Sequence, residues 1–239
     1  MKKAGILAAG KGTRLQSINA FKPIVKINGT PLLELTIKNL VLDQFQKIAI
    51  IFNDDEKNMN LSLLPTIHKT NINYFFKTTE SSMHSLYEVL KKLEPRTGEH
   101  VFISMVDSIV LPKDAKNFHR FCENIKESES AILVTNFIDD EKPLTLKINE
   151  QFYITDFQCP FDEKVLITSG VYYFSENIMP LLEQMINEGH TKMRNFLTEL
   201  IKRNYKIKAF VSPKTLDIDH PKDISVAELF LKENQHAEN

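Results

Sequence analysis

The sequence predicts a single α/β domain in which a mixed, mostly parallel sheet carries helices on both faces. Three observations lead there. Short apolar runs alternate with segments of helical periodicity over the first half of the chain, the order that builds parallel sheets. A chain of 239 residues with 42% hydrophobic residues can bury one substantial core without dividing. No stretch approaches the roughly 20 apolar residues of a membrane helix.

The elements follow in order. Ala4 to Ala9, bounded by lysines and glycine, reads as a buried strand, and a loop runs from Gly10 to about Gly29. Thr30 is placed to cap a helix with Pro31 in its first turn and Leu33, Ile37, Leu40 and Val41 along one face. Lys47 to Phe52 is a second strand, with the acidic Asn53-Asp54-Asp55-Glu56 at its end, read as a solvated loop. Ile72 to Phe76 is a third. A helix capped by Ser81 or Ser82 then carries Leu86, Val89, Leu90 and Leu93 at helical spacing. His100 to Val106 is a fourth strand, ending at Asp107. Ala115, Phe118, Cys122 and Ile125 mark the next helix, which leads to a strand over Ser130 to Phe137.

The second half is less regular. Leu144 to Ile148 and Phe152 to Phe157 read as an antiparallel pair, and Val165 to Ser175 as a long strand interrupted by Gly170. Two helices follow, with Ile178, Leu181, Leu182 and Met185 inward on the first and Phe196, Leu197, Leu200 and Ile201 on the second. A strand over Tyr205 to Val211 leads through Thr215-Leu216-Asp217-Ile218-Asp219 to a helix opened by Pro221, with Ile224, Ala227, Phe230 and Leu231 inward. The domain is expected over residues 1–233, with 234–239 a disordered tail.

Lysine plus arginine (30) nearly balance aspartate plus glutamate (31), so no broad basic field exists for nucleic acid or an anionic membrane, and any anion site has to be local. Cys122 and Cys159 form neither a metal-ligand pattern nor a disulfide framework and read as interior residues of a reducing, cytoplasmic compartment.

The first strand and the start of its loop read Gly5-Ile6-Leu7-Ala8-Ala9-Gly10-Lys11-Gly12, which has the glycine and lysine spacing of a P-loop. A P-loop places Ser or Thr directly after the lysine to hold magnesium, and Gly12 stands there instead. A dinucleotide fingerprint needs a glycine at position 15, which is Leu15, and a helix beginning at once. Both readings fail. What remains is a loop of Gly10, Gly12 and Thr13, followed by Arg14 and, ahead of Pro23, Lys22. Glycines let main-chain amides approach phosphate oxygens, and two cations converging on one point offset polyphosphate charge. In an open parallel sheet, ligands sit beyond the carboxyl ends of the strands. That rule adds Asn53 to Asp55, Asp107, Ser169 with Gly170, and Asp217 with Asp219.

Leu7-Ala8-Ala9-Gly10-Lys11-Gly12-Thr13-Arg14-Leu15, together with the Lys22-Pro23 segment running to Leu40, resembles the amino-terminal signature of the sugar-phosphate nucleotidyltransferases, also called nucleoside-diphosphate-sugar pyrophosphorylases. The resemblance implies a Rossmann-like nucleotidyltransferase fold and transfer of a nucleoside monophosphate from a nucleoside triphosphate to a sugar-1-phosphate, releasing pyrophosphate. It implies that Leu7, Ala8, Ala9, Gly10, Gly12 and Thr13 line the nucleotide, that Arg14 and Lys22 are catalytic, and that Ser81 and Ser82 lie in the nucleobase segment. Ser169 and Gly170 would stand near the acceptor. Asp107 would hold Mg2+, with Asp217 or Asp219 as the second ligand, since the family's usual Asp-x-Gly-Thr appears here as Asp217-Ile218-Asp219-His220. The Ser85 to Leu90 portion is closer to members that transfer cytidylyl groups to phosphocholine-like acceptors, the alternative substrate reading. A homo-oligomer is compatible with the resemblance, and no second catalytic domain is expected.

The chemistry suits these residue types. An acceptor phosphate is already ionised at neutral pH, so no general base has to create the nucleophile. Two crowded anions need alignment, and the leaving pyrophosphate needs charge stabilisation. A glycosyltransferase would show Asp-x-Asp at the fourth strand instead of Met105-Val106-Asp107-Ser108. A nucleotide-sensing subunit without catalysis, the reading from another class, would have no need of Arg14, Lys22 and Asp107 together. His84, His119, His190 and His220 are scattered and read as exposed or capping residues.

Overall fold

A computed structural model describes residues 2–18, 21–40, 45–138 and 142–235. Its main sheet has nine strands. Strand β1 (Lys3–Ala8) pairs in parallel with β4 (Lys47–Phe52) and β6 (His100–Met105), and β4 pairs in parallel with β5 (Ile72–Phe76). Beyond β6 lies β11 (Leu166–Ser175), antiparallel to β6, to β8 (Glu129–Thr135) and, through its first residues, to β9 (Thr145–Ile148). β12 (Lys206–Ser212) runs parallel to β8, and β10 (Ile154–Phe157) closes the other branch antiparallel to β9. Only β10 and β11 therefore run against the remaining strands of the sheet among the described residues.

The alternation of β1 explains the layering. Ala4, Ile6 and Ala8 face one core with α1 (Leu32–Asn39), α3 (Pro112–Cys122) and α6 (Pro221–Gln235). Leu7 and Ala9 face the other, with α2 (Ser82–Leu93), α4 (Met179–Asn187) and α5 (Met193–Lys202). Gly5 belongs to this second face. A Cβ there would lie 2.3 Å from a Val89 methyl, so the missing side chain lets α2 settle onto the strand.

Two expectations are corrected. Thr30 does not cap α1: Thr30 and Pro31 form β3, which pairs with β2 (Lys26–Ile27) across Asn28 and Gly29, and α1 starts at Leu32. Both turn residues have positive φ, 48° and 79°, the backbone a tight Asn-Gly hairpin demands, and this extends the chain through Thr30. The expected tail is partly helical, because α6 continues through Gln235 and the Asn234 amide donates to the carbonyl of Phe230. Val41 and residues 236–239 lie outside the described residues. Both cysteines are buried free thiols. No described helix is long and apolar enough to cross a membrane.

Candidate functional site at the carboxyl ends of the strands

The loop after β1 is organised around Lys22. Gly12 has φ 53°, and a Cβ there would stand 3.2 Å from Lys22 Cβ, so the left-handed turn and the absent side chain both serve that lysine. The Gly12 carbonyl accepts from Leu15 N at 2.8 Å, and Leu15 is buried as the loop's anchor. Thr13, Arg14 and Lys11 remain exposed. Lys22 opens a short 3₁₀ turn over Lys22–Ile24 and is only 7% exposed.

Lys22 Nζ donates to Asp107 Oδ2 at 2.6 Å and to Asp219 Oδ1 at 2.8 Å. The Arg14 guanidinium stands 3.7 Å from the other oxygen of Asp219. These residues are far apart in sequence, and a small ribbon joins them. Just beyond β6 and Asp107, β7 (Ser108–Ile109) pairs antiparallel with β13 (Leu216–Asp217), and Ile218 N donates to the Asp107 carbonyl. Asp217, the other candidate, is held differently: its Oδ1 accepts from the Ser108 hydroxyl at 3.2 Å. The start of α6 is capped by Asp223, whose Oδ2 accepts from the amides of Asp219 and His220, and this frees the Asp219 carboxylate to face Lys22.

The electrostatics follow from this crowding. Burial alone would lower the Lys22 pKa, but the two carboxylates outweigh it and hold the ammonium above its usual range. Burial would raise Asp219, and Lys22, Arg14 and His220 together bring it below the usual carboxylate value.

The remaining expected residues separate into surface and interior. Leu7, Ala8 and Ala9 bury their side chains in the two cores, leaving only main chain to face a ligand. At Gly10 a Cβ would meet no heavy atom within 4 Å, so the main chain there is open. Ser81 caps α2, its Oγ accepting from Met83 N, and Ser82 begins the helix. Ser169, expected beside the acceptor, is instead 2% exposed and accepts from the Thr215 hydroxyl at 2.8 Å, fastening β11 to the approach to β13. Gly170 has φ 70°, and a Cβ on it would lie 2.1 Å from Ser108 Oγ. It marks the register shift that turns β11 from one pairing half to the other.

Ser81, Ser82, Asp107, Gly170, Asp217 and Asp219 border an open cleft of about 340 Å³. Lys142, Lys192 and Arg194, which the sequence did not single out, also line it. The signal was weak, a polar Gly-His-Thr-Lys-Met-Arg joint between two helices. Arg194 donates to the Lys142 carbonyl at 3.1 Å, joining two of the lining segments. Asn53, one of the strand-end residues, and Glu56 belong to the segment expected to be solvated, yet both are buried, at 1% and 4% exposure.

A family model described as nucleotidyl transferase matches residues 3–234. The chain is 24% identical over 223 residues to the 2-C-methyl-D-erythritol 4-phosphate cytidylyltransferase of Thermosipho africanus, covering 90% of this chain and 96% of that one. Among solved structures, the inositol-1-phosphate CTP transferase from T. maritima superposes with a TM-score of 0.76 at 20% identity, over 96% of this chain and 94% of that one. A UDP-glucose pyrophosphorylase complexed with UDP-glucose does so with a TM-score of 0.77 at 17% identity, over 98% and 99%.

Proposed function

Since the chain belongs to the nucleotidyl transferase family, we propose that it transfers a nucleoside monophosphate from a nucleoside triphosphate to a phosphorylated sugar or polyol, releasing pyrophosphate. The observation that carries the reading is the convergence of Lys22, Asp107, Asp219 and Arg14 at the carboxyl edge of the sheet, beside a glycine loop with open main chain. Arg14, half exposed, is free to meet the terminal phosphates with its planar fork. Lys22, a buried point charge, belongs where negative charge concentrates between the α-phosphorus and the incoming acceptor phosphate.

Lys192 and Arg194, which line the same cleft, suit the acceptor phosphate. A wall of cations favours a phosphorylated polyol over a choline-bearing acceptor, which calls for an aromatic cage. Two of the relatives carry cytidylyl or CTP transfer in their names, which favours CTP as donor.

The donor set suits magnesium. No described group of three acidic, His or Cys side chains forms a self-sufficient metal site. Two carboxylates already converge on a single cation, the ammonium of Lys22. Mg2+ is commonly held by one or two carboxylates completed by substrate phosphates and water, so Asp107 and Asp219 are the residues that would hold it. Bound there, it would neutralise phosphate charge during transfer.

The test is a matrix of the four nucleoside triphosphates against sugar-1-phosphates, polyol phosphates and phosphocholine, with magnesium or with chelator, reading pyrophosphate. Metal-dependent pyrophosphate release with CTP and a polyol or sugar phosphate is expected. A folded protein that releases none with any pair overturns the reading.

A further inference from the structure

We propose that Asn53 is a positioning residue that sets which nucleobase the site accepts, by fixing the distance between the end of β1 and the segment after β5. The inference rests on the reading above, in which the nucleotide lies over the Ala9–Gly12 main chain with its base toward Ser81 and Ser82, and it deepens that reading.

Asn53 follows β4, the strand between β1 and β5. In the ladders Phe52 stands level with Ala8 on one side and Phe76 on the other, so Asn53 emerges between the two segments that would flank a base. Its amide joins them. Nδ2 donates to the Ala9 carbonyl at 3.0 Å, and Oδ1 accepts from the Thr78 hydroxyl at 3.1 Å. Two further bonds fix the residue: Oδ1 also accepts from Asp55 N, and the Asn53 main-chain N donates to Glu56 Oε2. Asp54 Oδ2 accepts from Thr78 N, a second tie to the same segment. From Thr78 the rigidity continues, with Thr79 Oγ1 bonded to Ser85 Oγ and Ser81 capping α2.

A carboxamide carries a fixed donor and a fixed acceptor on separate atoms, and here one serves Ala9 and the other Thr78. Aspartate would turn an acceptor toward the Ala9 carbonyl, and leucine would leave both neighbours unpaired. Either change releases the main chain immediately before Gly10, where a base can approach most closely. The cations of the polyphosphate side, Lys22 held by Asp107 and Asp219 and Arg14 beside Asp219, make no bond to Asn53. Loss of the Asn53 ties therefore acts on the base more than on the phosphates.

The experiment compares wild type, Asn53→Asp, Asn53→Leu and Thr78→Val by calorimetric binding of each of the four nucleoside triphosphates and of inorganic triphosphate, alongside pyrophosphate release. Asn53→Asp and Asn53→Leu are expected to weaken the preferred nucleotide about tenfold and to narrow the spread among the four, with inorganic triphosphate changed less than about twofold and KM altered more than kcat. Thr78→Val, at an exposed position where folding is safe, should narrow the spread by about threefold. If the Asn53 variants do not fold, Thr78→Val decides alone, and an unchanged spread overturns the proposal. So does parallel weakening of nucleotides and triphosphate, which marks a collapsed loop. Selective nucleotide binding without pyrophosphate release from wild type would overturn the transfer reading while leaving Asn53 tested. Transfer by wild type with selectivity intact in Asn53→Asp would overturn the Asn53 role alone, and a folded wild type that binds no nucleotide would overturn both.

Discussion

Replacing Lys22 by methionine separates the electrostatic role of this residue from its packing role, because methionine keeps most of the buried stem and removes the ammonium. Two charge-assisted bonds, at 2.6 and 2.8 Å, disappear, and two carboxylates are left facing each other. Breaking a fully buried ion pair costs about 3–5 kcal/mol, and exposed pairs are worth roughly 0–1 kcal/mol. Lys22 is 7% exposed while the Asp107 and Asp219 side chains are 19% and 43% exposed, so the cost should fall between these limits, at about 2–3 kcal/mol. For a chain of this size that corresponds to a melting temperature lower by roughly 4–12 °C near neutral pH.

The pH dependence gives a sharper check. The Lys22 pKa is raised in the folded protein, so its contribution is complete below the unfolded value of 10.5 and is lost as pH rises through the folded one. Asp219 is lowered from 3.8, so its contribution is present above that value and is lost as pH falls through the folded one. Wild type should thus outlast Lys22→Met across the interval between these limits, and the gap should close on acidification as the stranded carboxylates take up protons. Thermal melts by circular dichroism from pH 3 to 10 measure it. A loss under 1 °C at neutral pH, or a gap indifferent to pH, would refute the reasoning. Pyrophosphate release should fall roughly 10²-fold or more in the same variant.

Arg14→Ala should show the opposite balance: its 3.7 Å contact is half exposed, so stability should move by less than about 0.5 kcal/mol while turnover falls roughly 10²-fold. Comparing melts with initial rates checks both. Gly170→Ala places a Cβ 2.1 Å from Ser108 Oγ at a φ of 70° and should destabilise by about 2–4 kcal/mol from backbone strain and displacement of Ser108. Denaturant unfolding of Gly170→Ala, Ser108→Ala and the double variant should reveal a coupling of about 0.5–2 kcal/mol, and strict additivity would contradict the contact. Burial pushes the Glu56 carboxyl up to about 7, helped by Asp55 and opposed by the Asn53 amide. The folded state then holds a proton that the unfolded chain has released, so wild type should lose about 2–3 kcal/mol of stability as pH rises from 4.5 to 7. Glu56→Gln should remove that slope in denaturation curves taken across the interval.

Much of the fold was legible because the strands β1, β4, β6 and β8 are continuous apolar runs and the helices α2, α3 and α5 keep a regular apolar stripe, signals that local periodicity carries in full. The start of α1 was misread because the Asn28-Gly29 hairpin competes with the Thr-Pro helix signal, and pairing with Lys26 and Ile27 decides between them. At the site, the loop residues Gly10, Gly12, Arg14 and Lys22 were visible as a pattern. Asn53 was visible as a strand-end residue but its burial was not, since an acidic stretch at a strand end looks solvated until the neighbouring strands enclose it.

The sequence by itself determined the succession of strands and helices, the glycine loop and the inventory of charged residues at strand ends, because each of these is written in composition and spacing over a few residues. Tertiary structure alone decided which of those charges meet. Asp219 reaches Lys22 and Asp217 turns to Ser108 because β13 pairs with β7 in one register, and side chains two residues apart in such a ribbon are separated by the backbone path beyond its end. Pairing across more than a hundred residues leaves no local trace in the chain, and it is this pairing that gathers a glycine loop, two carboxylates and a buried lysine into one place.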